Sequence, residues 1–175
     1  MKLGQIARRF LIPSIVVTAI YLIKHRAMVS PRAEVELNSL ITLGKGTDIS
    51  SFAKLKANDG PLEIGANVSI STCCFISADK GGVSIGDYTM VGPNTSIIGN
   101  NYKYDQLDVP VCLQEKTSKG IAIGENVWIG AGCVILDGAR IESGAIVTPG
   151  SVISGKVKKD AIVQGNPAKL IFQRR

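Results

Sequence analysis

The chain has 175 residues, 45% of them hydrophobic but only 5% aromatic, with 19 glycines and a formal net charge of +6. That length supports one domain whose core needs no disulfide staples, and four cysteines without regular spacing beside a single histidine exclude the usual zinc patterns. The charge is confined to one end: Lys2, Arg8, Arg9, Lys24, Arg26 and Arg32 lie within 1–32 with no acid, and beyond them 14 basic residues meet 14 acidic ones.

Residues 1–32 read as a basic, apolar N-terminal segment with a helix, ahead of the main domain at 33–175. Phe10 to Ile23 is mostly apolar and too short to cross a bilayer, which takes roughly 20 residues. Lys24-His25-Arg26 flank the wrong end for a secretory signal. Basic flanks around an apolar body fit a helix lying in an anionic membrane surface through residues 1–26. Packing on a neighbouring subunit or capping the main domain are the alternatives.

From Leu43 an aliphatic residue returns every six positions, in sets of three. The sets are Leu43, Ile49, Leu55; Ile64, Ile70, Ile76; Ile85, Val91, Ile97; Ile123, Ile129, Ile135; and Ile141, Val147, Ile153. A period of six fits neither a helix nor a single strand. It fits short strands joined by turns, one set making one triangular coil of a parallel β-helix. Four places after the aliphatics stand small side chains (Val68, Cys74, Thr89, Thr95, Val127, Cys133, Ala145, Ser151) that suit a narrow interior. Cys74 and Cys133 are thus packed thiols, and a reducing, cytoplasmic setting fits them. Gly and Asn are expected at corners of positive φ.

The period lapses in three places. Extra residues bulge at Asn58-Asp59-Gly60 and at 79–82, and one long excursion leaves the prism between about Gly99 and Gly120. Long loops in compact repeat proteins usually carry function. No basic patch interleaved with aromatics appears in the repeats, so nucleic acid is not an expected partner.

Three segments carry a family likeness. Ile123-Gly124-Glu125-Asn126-Val127-Trp128-Ile129-Gly130-Ala131-Gly132, Pro149-Gly150-Ser151-Val152-Ile153 and the closing Ala161-Ile162-Val163-Gln164-Gly165-Asn166-Pro167-Ala168-Lys169 resemble the hexapeptide-repeat acetyltransferases. Those include the maltose, galactoside, O-antigen and capsule enzymes, and the likeness covers about residues 35–172. It implies an all-β, left-handed parallel β-helix with a short C-terminal cap, a homotrimer, and acetyl-CoA as acyl donor between adjacent prisms, without a metal. By resemblance Trp128 flanks the thioester end, Gly130, Ala131, Pro149, Gly150 and Ser154 line the coenzyme's arm, and Lys169 sits near its phosphates. Lys156, Lys158, Lys159, Arg174 and Arg175 are close in sequence and extend that basic field. Gly124, outside the groove motif, is read as repeat geometry.

The family's excursion loop carries a histidine that takes a proton from the acceptor hydroxyl, a step that needs a base of near-neutral pKa. Here the loop reads Gly99-Asn100-Asn101-Tyr102-Lys103-Tyr104-Asp105, with Val109-Pro110-Val111 downstream, and holds no histidine. Asn100 or Tyr102 takes its place, according to register, with Asn101 beside them, or Asp105, Asp108 or Glu115 acts instead; His25 is far ahead of the repeats. The resemblance implies transfer of an acetyl group to a sugar of a surface polysaccharide or lipid-linked glycan precursor, O-linked by family habit. The missing histidine admits an amine acceptor instead, or a trimeric protein, natural or engineered, that binds coenzyme A without turnover.

Overall fold

The computed structural model describes residues 12–175, so Phe10 and the basic residues Lys2, Arg8 and Arg9 lie outside the described residues. Among the described residues helix α1 (Ser14–His25) comes first, then a series of short parallel strands. These strands visit three sheets in rotation, and each pairs with the strand one full coil later. The chain is therefore mostly β, wound as a three-sided prism. Face one runs from Met28–Val29 through Asp48–Ile49, Ser69–Ile70, Met90–Val91, Trp128–Ile129 and Ile146–Val147 to Ala161–Gly165. Face two runs from Glu34–Val35 to Val152–Ile153, and face three from Ile41–Leu43 to Lys156–Val157. The first coil starts at Met28, so its first strand falls inside the segment 1–32.

All fifteen aliphatics of the six-residue period are buried at 3% exposure or less, and the register stacks them from coil to coil. Full burial of each contributes about 1.5–3 kcal/mol. The small positions are buried too, and Cys74, Thr89, Thr95 and Cys133 cap carbonyls of the following coil. Thr89 Oγ1 donates to Gly124 O at 2.9 Å, Thr95 Oγ1 to Gly130 O at 3.0 Å, and Cys74 Sγ to Gly92 O at 3.2 Å. A buried polar group without such a partner would cost free energy, which is why only small donors are admitted here. Burial pushes the Cys74 and Cys133 thiols above the usual range.

The corners differ from expectation in one respect. Asn67, Asn94, Asn126 and several glycines adopt positive φ, but so do Phe52 (64°), Cys73 (58°) and Tyr88 (59°). Phe52, Cys73, Asn94, Gly132 and Gly150 recur at the corner between faces one and two, where the stacked backbone sets the turn whatever the side chain. Phe52 and Tyr88 accept that strain with their rings in solvent, 61% and 62% exposed.

Helix α1 caps the first coils. Thr18 Oγ1 donates to Val29 O at 2.9 Å, and the buried Tyr21 hydroxyl donates to Glu36 O at 3.0 Å. Burial, and secondarily the Glu36 charge, push the Tyr21 pKa up to about 12 from the ordinary 10.0. The native state thus holds this proton more tightly than the unfolded chain. Its contribution is complete below pH 10 and is lost as pH rises from 10 to 12, an effect of about 2–3 kcal/mol. Tyr21→Phe is expected to remove that alkaline limb from stability measured against pH; a limb of unchanged size in the variant would disprove the assignment.

Candidate active site

The two bulges and the excursion leave the prism at one corner, between faces two and three. Register places Asn58, Asp79 and Asn100 one above another there, because Lys56 pairs with Ser77 and Ile98 also pairs with Ser77. Asn100 donates from Nδ2 to Asp79 Oδ2 at 2.7 Å, and the Lys80 N–H donates to Asp79 Oδ1 at 2.8 Å. Asp79 is only 7% exposed, so this charge-assisted pair is a strong one. A carboxylate accepts and does not donate, which fixes the amide: its NH₂ faces Asp79 and its carbonyl oxygen faces away.

The loop has internal structure. Asn101–Tyr102 pairs antiparallel with Lys116–Thr117, and Lys103 Nζ meets Glu115 Oε2 at 2.8 Å across this hairpin. That contact holds the Glu115 carboxyl below and the Lys103 ammonium above their usual ranges. The Lys116 ammonium stands 4.8 Å over the Tyr102 ring, and Asn101 Oδ1 accepts the Tyr102 N–H. Asp105 is exposed. Further out, the buried Gln114 donates to both Gln106 O and Val109 O at 2.8 Å, which holds the loop tip together. The returning limb is fixed by Asp137, which accepts the Lys119 and Gly120 N–H groups, and by Arg140, which donates to Gly120 O and Lys119 O. Asp79, Gln114 and Asp137 were not foreseen from the sequence, although the coil register alone would have placed Asp79 beside Asn100.

The other half of the site lies elsewhere. Trp128, 48% exposed, projects from face one between Met90 and Ile146. At the following corner Ala131-Gly132 and Pro149-Gly150 sit on successive coils and are exposed. A Cβ added at Gly132 or Gly150 would meet nothing within 4 Å, so these glycines leave an open, side-chain-free edge. Gly130 is different: it is buried, and a Cβ there would come within 2.5 Å of Pro149 N, so coil stacking accounts for it. Gly124 is similarly explained, by Ser143 N at 2.6 Å. Ser154 is exposed, but at the opposite edge of face two. Lys169 is exposed in the closing hairpin, paired with Gln164. Lys156 engages Glu142 at 2.7 Å, and Arg174 donates to Gly144 O, whereas Lys158, Lys159 and Arg175 are exposed. His25 packs against Tyr21, ring centroids 5.3 Å apart, in the N-terminal helix.

Asn100, Asn101, Tyr102 and Asp105 thus gather on one corner, while Trp128, Ala131, Pro149 and Gly150 gather along another. Within one chain face two separates them.

A family model described as "Bacterial transferase hexapeptide (six repeats)" matches residues 120–155. A dTDP-4-amino-4,6-dideoxy-D-glucose acyltransferase of Escherichia coli is 30% identical over 139 residues, covering 77% of this chain and 72% of that protein. The chain belongs to the hexapeptide-repeat acyltransferases. This hexapeptide-repeat protein is also 33% identical over 92 residues to the putative acetyltransferase YvoF of Bacillus subtilis, a match that spans 53% of the chain but only 48% of YvoF. Its fold matches a variant of AntD, an N-acyltransferase from Bacillus cereus in complex with dTDP and coenzyme A. The TM-score there is 0.78 at 18% identity, over 90% of this chain and 88% of that one.

Proposed function

We propose that this protein transfers an acetyl group from acetyl-CoA to the amine of an amino sugar carried on a nucleotide. The observation that carries this reading is the Asn100–Asp79 pair. At Asn100, one of the two positions that match the family's proton-accepting histidine, this chain has an amide locked by a buried carboxylate. An amide is no base, so a hydroxyl acceptor would be left unactivated. A neutral amine needs no such help. Its nitrogen attacks the acetyl carbonyl, the C–N bond forms, the C–S bond breaks, and the surplus N–H proton leaves with the departing thiolate. Asn100 Oδ1, turned away from Asp79, accepts an N–H of the amine and aligns it, so that positioning supplies much of the rate. Two relatives support this reading: the Escherichia coli protein is named for a 4-amino sugar, and AntD is an N-acyltransferase bound to dTDP and coenzyme A.

For the donor, the open edge at Ala131-Gly132 and Pro149-Gly150 takes the pantetheine arm, with Trp128 at the thioester end. Lys169 faces the phosphates. The coil is left-handed, as in the family. Because the loop and this edge occupy different corners, the site is completed by a second copy, which supports a homotrimer. An apolar stripe on face one, Met90, Trp128, Ile146 and Ile162 in register and followed by Phe172, suits a neighbouring prism. A supply of acetyl-CoA and of activated sugar fits a cytoplasmic reaction.

Asp79→Asn weakens a charge-assisted bond of about 1.5–3 kcal/mol and lets the Asn100 amide turn. It is expected to lower kcat tenfold or more, with KM for acetyl-CoA unchanged. Equal kcat in the variant would remove Asn100 and Asp79 from the mechanism.

A further inference from the structure

We propose that the outward side of helix α1 docks on an anionic lipid bilayer. The helix is apolar on two sides. One is used by the prism through Val17, Thr18 and Tyr21, and Leu22 closes a cleft of about 450 Å³ with Met28, Asp48, Ser51 and Thr72. The other side carries Ile15, Val16, Ala19, Ile20 and Ile23, bordered by Lys24. Their spacing places them along one stripe of the helix. That stripe faces solvent, with Ile15 67% and Ile23 82% exposed.

Charge selects the occupant. Lys24, Arg26 and Arg32 are exposed, and no acid occurs in the chain before Glu34. A second copy laid on the stripe would set these cations against its own, with no carboxylate from the same segment to pair them. A layer of anionic headgroups over acyl chains satisfies both the cations and the isoleucines. The helix has 12 residues, and among the described residues no helix is long and apolar enough to cross a membrane, so the contact lies in the plane of the surface. Three further basic residues, Lys2, Arg8 and Arg9, precede the helix in sequence.

The test is co-sedimentation of the full chain with vesicles of phosphatidylcholine and phosphatidylglycerol, against phosphatidylcholine alone. Binding is expected on the mixed vesicles, weaker on the neutral ones and reduced by salt. Ile20→Glu with Ile23→Glu is expected to lower the partition coefficient at least about tenfold through lost apolar burial. Lys24→Glu, which leaves the apolar stripe intact, is expected to lower it about fivefold to thirtyfold, since it reverses one charge at the surface. Both sets lie on exposed positions, and thermal melting by circular dichroism checks that the prism persists. No binding to the mixed vesicles, or unchanged binding of both variants, would overturn the proposal. So would sedimentation velocity showing, without lipid, a larger assembly for the native chain than for the double variant, because the stripe would then be covered by another copy.

Discussion

Replacing Gly86 with alanine is expected to lower the unfolding free energy by about 3 kcal/mol, while Gly155→Ala leaves it unaltered. The difference follows from what each new Cβ would meet. At Gly86 it would lie 2.6 Å from Gly124 C, 2.7 Å from Glu125 N and 2.8 Å from Gly124 O, all backbone of the next coil. Backbone in a stacked coil cannot swing aside as a side chain does, so the coils must part locally and loosen contacts around Ile85 and Ile123. At Gly155 the Cβ would meet nothing within 4 Å. Urea unfolding of the two variants checks this directly. Equal midpoints would mean that the aliphatic-glycine pairs of the repeat have no steric basis.

The second large effect concerns the donor. Ala131→Trp is expected to weaken coenzyme A binding at least about a hundredfold, close to 2.7 kcal/mol, by filling the edge that Gly132 and Gly150 leave open. Thr72→Trp provides the control. It stands at the same corner, since Ile129 pairs with Val91 and Val91 with Ile70, but two coils toward the N-terminal end. Calorimetric titration with coenzyme A should show the loss in the first variant only. If both variants bind as the native chain does, the coenzyme lies elsewhere.

Much of the prism was readable in the residues because its cause is local and periodic. Ile49, Ile70, Val91, Ile129 and Val147 follow from a period of six, and the structure stacks them on one face. The lapses in that period also located the loop correctly. What escaped was set by stacking between coils. Phe52, Cys73 and Tyr88 adopt positive φ because neighbouring coils impose the corner, and composition favours other residues there. Gly130 looked like part of the coenzyme edge, yet the approach of Pro149 explains it. Asp79 stood in plain sight as one end of a bulge. Its importance appears only when Asn100 is placed one coil, 21 residues, beyond it, as the hydrogen bond shows. Gln114 carried no signal at all, since its partners Gln106 and Val109 belong to an irregular loop without a period.

Thiol release from acetyl-CoA tests the proposed amine acceptor most directly. The native protein should be offered a nucleotide-linked 4-amino sugar and, in parallel, the same sugar with a hydroxyl at that carbon. Release that depends on the amino sugar, with the hydroxyl compound inert, is the expected result. Turnover of the hydroxyl sugar at a comparable rate would contradict it, because an amide held by Asp79 offers that acceptor no base.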